Sequence, residues 1–200
     1  MTRIAVIDHG AGNLVSIQRA LEVVGGEPRI AEGPADLRGV EAVILPGVGA
    51  TGAAMARLDE QGLVEPLQQW DGPLLGICVG MQLLFDSSDE DGGACLGVVP
   101  GSVQAISGRP LPHMGWNDVW TSDDPLFDGV TSGSLFTFVH SFAAVPDDPS
   151  IVTATSDHGG RFVAAIRDRN YLGLQFHPER SGASGLRVLE NFVGEARRAA

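Results

Sequence analysis

Short apolar runs alternate with stretches of helical period through the first half of the chain, and no other feature limits the fold as much. Ile4 to Ile7, Ala42 to Leu45 and Leu74 to Ile77 are continuously apolar, and Arg29 to Ala31 is a shorter candidate. Such runs are typical of parallel strands buried on both faces. Between them, Leu14, Ile17, Leu21 and Val24 fall at i, i+3, i+7 and i+10 on one helical face, and Gly25-Gly26 supplies a left-handed stop. A helix candidate follows each strand, as parallel pairing requires. From about Gly97 the β-type runs crowd together with Gly, Pro and Asp between them: Ser102 to Ile106, Leu135 to Val139, Ile151 to Thr155, Phe162 to Ile166, and Tyr171 to Phe176. This spacing predicts antiparallel hairpins. Ser184 to Arg198 closes the chain as a helix with Leu186, Leu189, Phe192 and Val193 on one face. The expected fold class is α/β: a central, mostly parallel mixed sheet flanked by helices, with antiparallel additions in the C-terminal half. At roughly 150 residues per domain, 200 residues fit one domain spanning 1–200.

Charge removes whole classes of function. The 13 basic residues are all arginine, against 25 acidic ones, for a net charge of −12. A general grip on nucleic acid or an anionic membrane is therefore not expected. Without lysine there is no Schiff base, lysine general base or Walker-type phosphate loop. Two cysteines, Cys78 and Cys95, make neither a disulfide framework nor a CxxC pair, which points to a reducing cytoplasm. The first apolar run is too short for a signal segment or a membrane span. Gly10-Ala11-Gly12 lacks the third glycine of a dinucleotide fingerprint, since Val15 stands there. No histidine or acidic cluster has metal-ligand spacing, so no metal or cofactor is expected. Asp86 to Asp91 reads as a solvated helix end, and Trp116 as part of a Gly-Trp-Asn turn.

Three segments carry chemistry. Gly76-Ile77-Cys78-Val79-Gly80 sits between an apolar strand and a helical run, the pattern of a nucleophile elbow. Its glycines permit a sharp strand-to-helix turn, which lifts the thiol to a helix N-terminus where free N–H groups and the dipole favour a thiolate. Gln175-Phe176-His177-Pro178-Glu179 ends a strand. On extended backbone His177 and Glu179 project to one side, and Pro178 holds His177 in β geometry. An imidazole base with a carboxylate behind it is what a thiol nucleophile needs. Pro46-Gly47-Val48-Gly49 follows the third strand on the same carboxyl edge, where Gly47, Val48 and Gly49 N–H groups and that of Val79 are available to an oxyanion. Alone, each segment has a plain reading as a buried cysteine, a surface pair or an ordinary loop. Together they favour nucleophilic catalysis by Cys78.

These segments resemble the class I, or triad, glutamine amidotransferases. Pro112-His113-Met114-Gly115-Trp116-Asn117, Phe138-Val139-His140-Ser141-Phe142 and Asp8 to Leu14 resemble the branch that feeds ammonia to a cyclase in histidine biosynthesis. The resemblance runs from about Ile4 to the final helix. It implies hydrolysis of L-glutamine by Cys78, His177 and Glu179, with Gln82, Glu90, Ser141 and Phe142 lining the substrate pocket. It also implies ammonia transfer to a (β/α)8-barrel cyclase subunit that makes imidazole glycerol phosphate and an aminoimidazole carboxamide ribotide. Asn13, Trp116, Asn117, Thr137 and Arg180 would lie at the partner interface or tunnel. Departures are few: Val79 replaces the usual Leu, Phe142 a frequent Tyr, Arg180 a frequent Lys, and His9 a common Tyr. An amidotransferase subunit for anthranilate or pyridoxal phosphate synthesis, or a non-catalytic binding module of the same fold, stays open.

Overall fold

The computed structural model describes residues 1–10 and 12–199. Ala11, in the Asp8 to Leu14 motif, lies outside the described residues. In order come β1 (Thr2–Ile7), α1 (Leu14–Val23), β2 (Gly26–Ala31), β3 (Ala42–Leu45), α2 (Thr51–Glu60), α3 (Val64–Gln68), β4 (Leu74–Ile77) and α4 (Val79–Gln82). The second half adds β5 (Ser87–Ser88), β6 (Gly93–Ala94), β7 (Gly101–Ala105), β8 (His113–Thr121), β9 (Ser134–His140), β10 (Phe142–Pro146), β11 (Val152–Asp157), β12 (Arg161–Asp168), β13 (Tyr171–Leu174) and α5 (Gly182–Ala199).

A nine-stranded sheet in the order β2-β1-β3-β4-β13-β12-β11-β8-β9 forms the body of the fold. Its first five strands are mutually parallel and the rest antiparallel. The expected mixed α/β sheet is present. The parallel strands β3, β4 and β13 are buried at every residue, as strands covered on both faces must be. Helix α5 turns Val188, Leu189, Phe192 and Val193 inward.

The C-terminal hairpins, expected to add to the sheet or cover it, do both: β12, β11, β8 and β9 extend it, while β10-β7-β5-β6 form a second sheet. Several local expectations are corrected. After β2 comes only a 3-10 turn, Pro34–Leu37, not a helix. The Gly-Trp-Asn segment is no turn: it lies in β8, where seven consecutive residue pairs with β9 hold it extended. Asp86 to Asp91 is not a helix end either. Ser87–Ser88 joins the small sheet, and Asp91 caps α2 by accepting from Gly52 N at 2.7 Å and Thr51 Oγ1 at 3.0 Å.

Candidate active site

Strand β13 lies beside β4 with Leu174 opposite Ile77, so the two motif segments leave the sheet side by side at its carboxyl edge. Cys78 N donates to Leu174 O at 2.7 Å as the chain turns. At that point Cys78 adopts φ 55°, ψ −111°, a conformation costly for a residue with a Cβ and the mark of a held nucleophile turn. The flanking glycines are sterically required. A Cβ on Gly80 would sit 1.7 Å from Leu45 O, and one on Gly76 would sit 2.5 Å from Gly80 O. The helix after the turn is shorter than expected, only Val79–Gln82. Its dipole is correspondingly small, and the free N–H groups of its first turn carry most of the pull on an anion.

The His-Pro-Glu segment meets its partner differently from the sequence reading. His177 is extended at φ −99°, ψ 96°, as Pro178 dictates, but Pro178–Arg180 winds into a 3-10 turn. Glu179 reaches His177 through that turn, not along a strand. His177 Nδ1 donates to Glu179 Oε1 at 3.0 Å, with side chains 6% and 2% exposed. Burial pulls the His177 pKa down, yet hydrogen bonds and charge from the Cys78 sulfur and the Glu179 carboxylate outweigh it and raise the value to about 10. The proton therefore rests on the imidazole at neutral pH.

Beside Sγ is a cavity of about 90 Å³ lined by Val48, Gly49, Val79, Gln82, Glu90, Ser141 and Phe142, with Val139 and His140 closing it. That is below the roughly 300–1,000 Å³ of sites for larger ligands and suits one amino-acid side chain. Gly47 lies against the elbow, where a Cβ would come 2.8 Å from Val79 Cβ, and Gly49 needs its left-handed φ of 92°. The loop is tied from below by His9, whose Nε2 donates to Pro46 O at 2.6 Å. Glu90 accepts from Thr51 N at 3.1 Å, which fixes one carboxylate oxygen at the cavity wall. A larger cleft, about 590 Å³, lies elsewhere, between the two sheets, and holds none of the motif residues.

The expected partner residues separate into groups. Trp116 is 57% exposed on the outer face of β8, and Thr137 is its neighbour on β9. Thr137 also accepts from His177 N at 2.9 Å and donates Oγ1 to Arg180 O at 3.0 Å, so it anchors the 3-10 turn that carries Glu179. Arg180 is exposed. Asn117 points to the opposite face from Trp116 and donates to Asp157 O at 2.7 Å. Asn13 caps α1 by accepting from Ser16 N at 3.3 Å.

The class-I glutamine amidotransferase family model matches residues 5–196. The chain belongs to this family. It is 48% identical over 197 residues to the imidazole glycerol phosphate synthase subunit HisH of Xanthomonas campestris pv. campestris strain 8004, covering 96% of this chain and 98% of that one. Identity to the subunit of the same name from Moorella thermoacetica is 45% over 198 residues, covering 96% and 94%. A crystal structure of a glutamine amidotransferase shares the fold at TM-score 0.77 with 19% identity, covering 97% of this chain and 98% of that chain. PurLQS from Thermotoga maritima does so at 0.75 with 22% identity, covering 96% and 97%. No helix among the described residues of this amidotransferase is long and apolar enough to cross a membrane.

The sequence reading left one group at the sulfur unassigned. Gln175 is wholly buried and donates Nε2 to Cys78 Sγ at 3.7 Å. Its signal was an amide inside an otherwise apolar run, since a buried amide must find partners. Nearby, burial pushes His140 from 6.5 down to about 4, so it is neutral when folded. An unfolded histidine protonates near 6.5, so stability falls as pH drops from 6.5 toward 4, by up to about 3 kcal/mol for this group. His177, with its raised value, contributes stability that is complete below 6.5 and is lost only toward pH 10. Urea unfolding at pH 7 and 4.5 should therefore show a smaller acid loss for His140→Phe than for the unaltered chain. Equal losses would refute this source of acid sensitivity.

Proposed function

We propose that this chain is the glutaminase subunit of an imidazole glycerol phosphate synthase, acting as one domain over residues 1–200. The buried sulfur, imidazole and carboxylate of Cys78, His177 and Glu179 at a side-chain-sized cavity carry the reading, and the HisH relatives supply the pathway. Sγ attacks the carboxamide carbon of L-glutamine. The developing oxyanion is held by Val79 N–H and by the loop of Gly47, Val48 and Gly49. His177, already protonated, gives its proton to the departing nitrogen, so ammonia leaves and a thioester remains. Neutral His177 then takes a proton from water, whose oxygen attacks the thioester, and glutamate departs as the thiolate returns. Glu179 keeps the imidazole oriented and offsets its charge. Glu90 accepts from the substrate ammonium, and Gln82, Ser141 and Phe142 fix the rest of the amino acid.

The outer face of β8 and β9 suits a protein partner, here the (β/α)8-barrel cyclase. Met114, Trp116, Trp120 and Leu135 are 69, 57, 46 and 51% exposed there, an apolar patch of the sort that marks interfaces. Since Asn117 faces inward and Asn13 is occupied as a cap, Trp116, Thr137 and Arg180 form the contact, and ammonia passes beside Thr137 and Arg180. A net charge of −12 argues against nucleic-acid or membrane partners, and the reaction belongs in the cytoplasm. Glutamine turnover measured with and without the cyclase and its nucleotide ligand tests the reading. Turnover should rise at least tenfold in the complex and yield imidazole glycerol phosphate. No glutamate formation in the assembled complex would identify a binding module instead.

A further inference from the structure

The buried polar groups behind the glutamine pocket form one continuous chain whose hydrogens can be assigned. Phe142 O can only accept, so His140, at 2.9 Å, carries its hydrogen on Nδ1. Neutral His140 then has an accepting Nε2, and His113 must donate from Nδ1 across 2.9 Å. That leaves His113 Nε2 to accept from Asn117 Nδ2 at 3.2 Å. On the other side, Gln82 spends both Nε2 hydrogens, one on Phe142 O at 3.0 Å and one on Gln175 Oε1 at 3.1 Å. With its oxygen so engaged, Gln175 turns Nε2 to Cys78 Sγ at 3.7 Å. Every link has one allowed direction.

We propose that Gln175 is a hydrogen-bond donor to the nucleophilic sulfur, that Gln82 sets its amide in the donating orientation, and that Asn117, His113 and His140 are positioning residues that hold the Phe142 carbonyl on which Gln82 depends. A thiolate accepts from an N–H far better than it tolerates an amide oxygen, so a flipped Gln175 would disfavour the charged nucleophile. Because Asn117 lies on β8, one residue from Trp116, the chain joins the inner side of the exposed strand to the reacting atom. The ionisable groups at the cavity are Glu90 and His140, and His177, with Glu179 behind it, interacts with Sγ. Burial, and next His158, push His113 to about 4, and burial holds His140 near the same value. Neither imidazole therefore changes charge between pH 5 and 9.

The inference rests on Cys78 being the nucleophile, and its test reads the sulfur without glutamine. Iodoacetamide labelling of Cys78 in the full chain, mapped by mass spectrometry, is followed from pH 5 to 9. Gln175→Met is expected to slow labelling at pH 7 by about 3- to 10-fold and to move the half-maximal pH upward. His140→Phe, which leaves Gln175 in place, should move it the same way by less. His140→Asn, which can still donate to Phe142 O, should recover most of the loss. Wild-type profiles in both Gln175→Met and His140→Phe overturn the proposal. If Gln175→Met does not fold, the His140→Phe and His140→Asn pair decides it, since a purely structural role predicts no rescue of the pH profile. An unaltered chain whose Cys78 labels like an ordinary thiol would instead remove the nucleophile reading.

Discussion

Cys78→Ala is expected to lower glutamine-dependent turnover of the assembled synthase by about 10⁴-fold or more, the scale seen when a nucleophile that works as a unit with its base is removed. The same complex should keep its turnover when ammonium salt replaces glutamine. Alanine retains the Cβ, so it bears the same φ of 55° as the cysteine and adds no new backbone strain. No other group can substitute for the sulfur. Cys95, the second cysteine, is buried against the small sheet, where burial and then Asp91 push its thiol up to about 11, well away from nucleophilic chemistry at neutral pH. Glutamine-supported turnover surviving in the variant would mean that the thioester forms elsewhere or not at all.

A large loss of stability should come from a single methyl group at the elbow. In Gly80→Ala the added carbon would lie 1.7 Å from Leu45 O and 2.7 Å from Leu45 C. Those are backbone atoms at the end of a central strand, with no side chain to swing aside. Overpacking ordinarily costs about 1–3 kcal/mol, and a clash with rigid backbone belongs above that range, at about 4 kcal/mol. For a chain of this size that corresponds to a fall in Tm of about 8–16 °C. Gly25→Ala is the control: φ is 83° but nothing lies within 4 Å of the added carbon, so only the left-handed backbone cost of about 1 kcal/mol applies. Equal melting temperatures for the two variants would show that the elbow and the third strand are not tightly interlocked.

Much of this was legible in the residues, and the limit falls in a definite place. Ala42–Leu45 and Leu74–Ile77 were bounded to the residue because four apolar positions closed by glycine or proline have few alternatives. The Cys78 turn was legible because glycine on both sides leaves a sharp bend as the economical path. By contrast, His113–Thr121 was missed as a strand: its glycine and asparagine favour a turn locally, and only pairing with Ser134–His140 overrides them. The contact of His177 with Glu179 was foreseen, but by an extended path that the 3-10 turn replaces.

By itself, the order of residues determined which chemistries this chain can host: one thiol at a tight turn, one imidazole locked by proline beside a carboxylate, a glycine loop, and no lysine. Those are properties of neighbours in sequence, set by backbone sterics over a few bonds. Only the tertiary structure decided which of them meet. The parallel pairing of Leu174 with Ile77 joins segments nearly a hundred residues apart and aims the Gln175 amide at the sulfur, while the antiparallel pairing of β8 with β9 turns Trp116 outward and Asn117 inward. The parallel strands β3, β4 and β13 are buried at every residue, so no alternation fixes their register locally, and it is settled cooperatively as both sheet faces are covered.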